Sequence, residues 1–302
     1  MTTIMEYHNP VLLKETVDGL NIKEDGIYVD VTFGGGGHSK EILKRLGQNG
    51  RLFAFDQDED ALKNAIDDSR FKLIHENFRY VKRFLKFYRV NKVDGILADF
   101  GVSSHQFDVA ERGFSTRFEA DLDMRMNQKN TLSAYNVIND YEEQKLKQVF
   151  WQYGELRAAP AMARIIVEHR ATEKIVTSMQ LKEVLKKFLP PKHENKVLAQ
   201  IYQAIRIEVN QEIEALKEFL EQTPDLLNPG GRLSFISYHS LEDRLVKRFI
   251  RSGLFEGEPE RDVFGKFEVP LKKINGLTVP SKEEIKNNNR ARSAKLRIAE
   301  KL

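Results

Sequence analysis

The chain has 302 residues, of which 41% are hydrophobic, 31% charged and 10% aromatic, with no cysteine and a formal net charge of +3. That composition supplies a large apolar core and excludes a disulfide framework, a thiolate nucleophile and Cys-held zinc or iron–sulfur clusters. The weak basic excess permits a nucleic-acid partner without demanding one. No run of about 18 apolar residues marks a membrane span and no basic-then-apolar leader is visible, so a cytoplasmic protein without membrane association is expected.

Taken in order, Ile27–Thr32 reads as a buried strand, followed by glycines and a helix from Ser39 to about Leu46. Leu52–Phe55 is predicted as a second strand, with a helix over about Asp58–Ile66. Phe71–Ile74 is the third strand, Phe78–Tyr88 a helix and Val93–Ala98 the fourth strand. Short strands alternating with helices imply right-handed crossovers and a parallel sheet. A polar, irregular stretch covers about Val102–Arg125, and from Thr131 to Leu226 nearly everything is helical. Thr177 and Gln180 form a capping box, and Pro190-Pro191 marks a turn. Val197, Ile201, Ile205, Val209, Ile213, Leu216 and Leu220 line one face of a single long helix. Asn228–Gly231 is read as a tight turn before a fifth strand at Arg232–Ser237 and a helix at Leu241–Ile250. A short strand is expected near Phe267–Leu271, and the alternation of Ala294, Leu296 and Ile298 with charged neighbours marks a strand at or near the sheet edge. The economical organisation is one sheet domain from residues 1–104 and 213–302, interrupted by a helical insertion at 105–212.

Gly34-Gly-Gly-Gly37 follows the first strand directly and opens a helix, and Asp56 stands 22 residues after Gly34 at the end of the second strand. A glycine turn lets a ligand approach bare backbone, and a carboxylate so placed suits ribose hydroxyls. Dinucleotides and nucleoside sulfonium methyl donors both use this arrangement. The third glycine of a dinucleotide fingerprint is missing, since Ser39 and Lys40 occupy the positions where it would fall, and this favours the methyl donor.

Val29-Asp-Val-Thr-Phe-Gly-Gly-Gly-Gly-His-Ser39 closely resembles the cofactor loop of the bacterial small-subunit ribosomal RNA cytosine-N4 methyltransferases, the MraW or RsmH family. His8-Asn-Pro-Val-Leu-Leu-Lys-Glu15, Asp99-Phe-Gly-Val-Ser-Ser104, Glu111-Arg-Gly-Phe-Ser115, Leu122-Asp-Met-Arg125, Ser237-Tyr-His-Ser-Leu-Glu-Asp-Arg244 and Arg290-Ala-Arg-Ser293 resemble its other blocks, in order along nearly the whole chain. Two departures are His105 and Asn289, each where the family usually has proline. The resemblance implies a Rossmann-like class I methyltransferase sheet with a C-terminal antiparallel strand and an inserted helical substrate domain. It implies a cytosolic enzyme that transfers methyl from S-adenosyl-L-methionine to N4 of a decoding-centre cytidine, position 1402 of 16S ribosomal RNA, with the small subunit as expected partner; monomer and homodimer both stay open. It also implies cofactor contacts at Gly36, Gly37, His38, Asp56, Phe78, Asp99 and Gln106.

Methylating a cytosine amino group requires acceptors for its hydrogens as the nitrogen becomes tetrahedral. Asp99, at the end of the fourth strand, is the first candidate; Asp123 and His239 are further ones. Arg112, Arg125, Arg290 and Arg292 are candidate RNA contacts, and Phe114 is a candidate stacking partner for an extruded base. Arg79, Lys82, Arg83, Lys86, Arg89 and Lys92 form a basic stripe whose simpler reading is a solvated helix face. No histidine spacing marks a metal site. A nicotinamide-dependent oxidoreductase and a non-catalytic RNA-binding assembly factor remain as alternatives.

Overall fold

A computed structural model of the chain describes residues 10–261, 264 and 267–302; His8 and Asn9 of the first motif lie outside them. The chain divides into two compact units, Met1–Gly101 with Ile213–Leu302, and Val102–Glu212.

The first unit is built on a seven-stranded sheet: β1 (Ile27–Asp30), β2 (Arg51–Asp56), β3 (Phe71–His75), β4 (Val93–Asp99), β5 (Leu227–Ser237), β6 (Leu271–Thr278) and β7 (Lys295–Lys301), in the order β3-β2-β1-β4-β5-β7-β6. β3 through β5 run parallel, and β7 is antiparallel to both of its neighbours. Successive residues feed opposite faces. Val29, Phe53, Phe55, Ile96 and Phe235 pack into one cluster, while Tyr28, Leu52 and Leu97 pack with Val17, Leu20, Ile42 and Leu46 into another. Burial on both faces is why these strands read as continuous apolar runs. Helices α1 (Leu13–Gly19), α2 (Gly37–Arg45) and α3 (Val81–Phe87) belong to this unit.

The second unit contains α4 (Ser104–Asp108), α5 (Ala134–Asp140), α6 (Glu143–Gln152), α7 (Ala159–Arg170), α8 (Ser178–Val184) and α9 (Glu194–Asn210). Its own core gathers Val137, Ile138, Leu146, Phe150, Met162, Ile166, Leu181, Ile201 and Ile205. Capping boxes start α4 (Ser103 with Gln106), α5 (Ser133 with Asn136) and α8 (Thr177 with Gln180). The chain returns to the sheet unit through α10 (Glu212–Leu226), α11 (Ser240–Ser252) and α12 (Lys282–Asn287).

Several expectations are corrected. The single long helix is two, because Gln211 adopts a left-handed conformation (φ 51°) that ends α9. Residues Glu59–Asn64 form a 3₁₀ rather than an α-helix, closed by short-range bonds such as Ala61 N–H to the Asp58 carbonyl. Asn228–Gly231 does not precede β5 but lies inside it. Gly230 takes a positive φ of 76°, and the pairing with β4 shifts register between Val93 and Gly95, as a bulge does. The expected strand at 267–271 begins only at Leu271. No helix among the described residues is long and apolar enough to cross a membrane.

Candidate active site

The turn after β1 is held open by its glycines. Gly34 and Gly36 have φ of 51° and 75°, a region disfavoured for residues with a Cβ. A Cβ on Gly36 would lie 2.8 Å from the Phe33 ring, and one on Gly37 would lie 2.1 Å from Pro10 Cγ. The turn is stapled to β2: Gly34 N–H donates to Asp56 Oδ2 at 2.8 Å, and Asn64 Nδ2 donates to the Gly34 carbonyl at 3.0 Å. His38, in the first turn of α2, is buried and places Nε2 3.2 Å from the Val11 carbonyl. Burial pushes its imidazole down to about 4, so it is neutral and ties the start of α2 to the segment before α1.

Three carboxyls, the buried Asp30 and the half-buried Asp56 and Asp99, stand at the C-terminal ends of adjacent strands. Asp30, on β1, accepts from Ser39 Oγ at 2.7 Å and from Thr32 N–H at 3.1 Å. Asp56, on β2, accepts from Gly34 and also from Asp58 N–H at 2.9 Å. Asp99, on β4, donates its backbone N–H to Thr32 Oγ1 at 2.6 Å, and its carboxylate takes a hydrogen bond from Tyr238. Its Oδ1 is buried with no partner among the described residues. Loss of water pushes Asp30 and Asp56 up to about 6 and Asp99 to about 7. The charged groups acting on Asp56 and Asp99 are other carboxylates, and no cation among the described residues acts on any of the three. The strand ends therefore form an acidic well with no counter-charge among the described residues.

Phe78 stands just after β3 and packs edge-on against Phe100 and Phe219. Asp30, Thr32 and Tyr238 are parts of this site that the sequence reading did not single out. An aspartate closing an otherwise apolar strand was the available signal for Asp30. Tyr238 lay within the quoted Ser-Tyr-His-Ser block, where the weight fell on His239.

His239 turns back onto its own helix. Its Nδ1 accepts from Glu242 N–H, and its Nε2 lies 3.0 Å from Glu242 Oε1, so it caps α11 rather than standing free to move a proton. In the second unit, Gln106 is buried and its Oε1 accepts from Ser103 N–H to complete the α4 cap. Asp123 receives the Arg125 guanidinium at 2.6 Å, and Arg125 also reaches the Gln128 and Asn130 carbonyls. Asp123, a candidate catalytic residue, and Arg125, a candidate RNA contact, thus pair with one another. Arg112 is buried, donating to the Arg125 and Met126 carbonyls, with the buried Phe114 ring 5.8 Å from its guanidinium. These two side chains are thus buried and fasten the loop as placed. Arg292 is exposed beside Arg290 in the turn before β7. In the basic stripe, Arg79 pairs with Glu218 and Lys82 with Asp225, so part of it is neutralised within the unit.

A parallel sheet in which an antiparallel strand enters beside β5, with a glycine turn and acidic strand ends at its C-terminal edge, defines a Rossmann-like class I methyltransferase. The chain belongs to the MraW methylase family, whose model matches residues 5–302. It is similar to the ribosomal RNA small subunit methyltransferase H of Flavobacterium johnsoniae and of Christiangramia forsetii, each 72% identical over 302 residues and covering all of both chains. The protein of that name from Bacteroides fragilis is 53% identical over 296 residues, 98% of this chain and 97% of the relative. A solved rRNA methylase from Streptococcus thermophilus shares 14% identity with a TM-score of 0.42 over 95% of each chain.

Proposed function

We propose that this chain transfers a methyl group from S-adenosyl-L-methionine to the N4 amino group of a decoding-centre cytidine in small-subunit ribosomal RNA. The observation that carries the reading is the acidic well of Asp30, Asp56 and Asp99 around a glycine turn, with no cation among the described residues acting on it. The donor is a sulfonium with net positive charge, which such a well favours, whereas the pyrophosphate of a nicotinamide dinucleotide would be repelled. The family and the 72% identical relatives, named for methylating small-subunit rRNA, support the same reading.

When bound, the donor supplies a methyl group already activated by sulfonium charge. Asp56 offers its remaining lone pairs to ribose hydroxyls, and Phe78 gives adenine an aromatic surface. Asp99 accepts a hydrogen of the cytosine amino group, drawing the nitrogen lone pair out of conjugation. On transfer, the donor's sulfur would keep the electron pair of the broken C–S bond, and Asp99 would take the proton that the newly methylated nitrogen gives up. A carboxyl at about 7 can hold and release that proton near neutral pH. Arg290 and Arg292 contact phosphate, and the helical unit takes part in selecting the RNA.

The test is transfer of labelled methyl to small subunits and, in parallel, to naked 16S RNA, with the product nucleoside identified by mass spectrometry. N4-methylcytidine at the decoding centre is the expected product. Absence of transfer, or tight binding of a nicotinamide dinucleotide in place of the donor, overturns the reading. Asp99→Asn should lower kcat by about 100-fold, within the usual range for losing a general base.

A further inference from the structure

Asp99 lies opposite Ile236 in the parallel pairing of β4 with β5, so Tyr238 is the next residue outward on the same face. Its ring packs against the buried cluster that contains Val11, Ile236, Ala291, Ala294 and Leu296, and its Cδ2 lies 3.7 Å from where a Cβ on Gly101 would sit. Its backbone is pinned as well, since Tyr238 N–H donates to Glu242 Oε2 at 3.0 Å. The hydroxyl of this packed ring hydrogen-bonds the Asp99 carboxylate. No other side chain among the described residues donates to that carboxylate. From this arrangement we infer that Tyr238 is a positioning residue for methyl transfer: its hydroxyl fixes the Asp99 carboxylate and keeps the other oxygen for the amino group. The inference rests on the proposed role of Asp99 as acceptor.

The charged groups facing Asp99 are Asp30 from β1 and Glu242 from α11; those facing Tyr238 are Asp99, Glu242 and Glu284 from α12. All are acids, so among the described residues the phenol is the side chain that stabilises ionised Asp99. Deleting its hydroxyl should make Asp99 harder to ionise, and a more acidic phenol should make it easier.

The experiment follows kcat for methylation of small subunits from pH 5.5 to 8 at saturating donor, with calorimetric donor binding alongside. Tyr238→Phe is expected to lower kcat at least tenfold, leave donor Kd within threefold and move the acid limb up by half a pH unit or more. In an Asp99→Asn background, the same substitution should cost less than twofold. Site-specific 3-fluorotyrosine at position 238 should move the limb the opposite way, and it decides the matter alone if Tyr238→Phe fails to fold. An acid limb that stays put with these replacements, or an equal kcat loss in both backgrounds, overturns the positioning role. A wild-type protein that transfers no methyl overturns the underlying function as well, so the two failures are distinguishable.

Discussion

Asp30 is fully buried and accepts hydrogen bonds from Ser39 and Thr32, yet its carboxyl still rises from 3.8 to about 6. Two neutral donors do not replace the water it has lost, and the cost of ionising it in the folded state is on the order of 3 kcal/mol. Asp56 and Asp99 are raised for the same reason. An acid raised on folding binds more protons in the native than in the unfolded state between the two values, so stability falls as pH rises through that window. His38, lowered to about 4, works the other way by at most one proton and only below about pH 6.5. The unliganded protein should therefore melt at lower temperature at pH 7.5 than at pH 5, and Asp30→Asn should flatten the slope; calorimetric scans at both pH values check this. The same charges discriminate between methylated and demethylated donor. S-adenosylhomocysteine lacks the sulfonium charge, so the ratio of its Kd to that of S-adenosylmethionine should rise by about tenfold between pH 5.5 and 8. A ratio independent of pH in competition titrations would show that the well does not sense the donor's charge.

At the scale of the element, the glycine turn depends on two different constraints. Gly36 needs a left-handed backbone and lies under the Phe33 ring, whereas Gly37 has no such φ and is limited by contact with Pro10. Gly36→Ala should weaken donor binding at least tenfold and cost about 1–3 kcal/mol of stability, as strained backbone does; calorimetry and a urea melt read the two effects separately. This turn, the strands around it and Asp56 were legible in the sequence because each carries a local signature: apolar runs buried on both faces, four glycines, and a carboxylate at a strand end. The break at Gln211 was not, since glutamine has no special preference for the left-handed region and the apolar spacing continues unbroken from Val209 to Ile213. Nor was the bulge in β5, because Asn-Pro-Gly-Gly has the composition of a free turn and only pairing with β4 shows it to be part of a strand. The cap made by His239 and the ion pair between Asp123 and Arg125 depend on side-chain direction, which a sequence block does not encode. Asp30 and Tyr238 became visible as site residues only once three strand ends were brought side by side.

At the scale of the molecule, the chain leaves the sheet after β4, builds a second hydrophobic core, and returns to form β5 beside the strand it left. Each unit buries its own apolar cluster, and the glycine turn, the three carboxyls and Tyr238 all belong to the sheet unit. Damage to the helical core should therefore separate donor binding from turnover. Phe150 is a fully buried member of that core, and Phe150→Ala should cost about 3–5 kcal/mol through lost burial and the cavity left behind. The expected outcome is a urea melt with two transitions, the earlier one carrying the helical signal. Donor binding should persist up to the second transition, while methyl transfer to small subunits is lost at the first. If donor affinity and helicity instead disappear together in one transition, the two cores fold as a single cooperative body, and the sheet unit does not hold its ligand independently of the insertion.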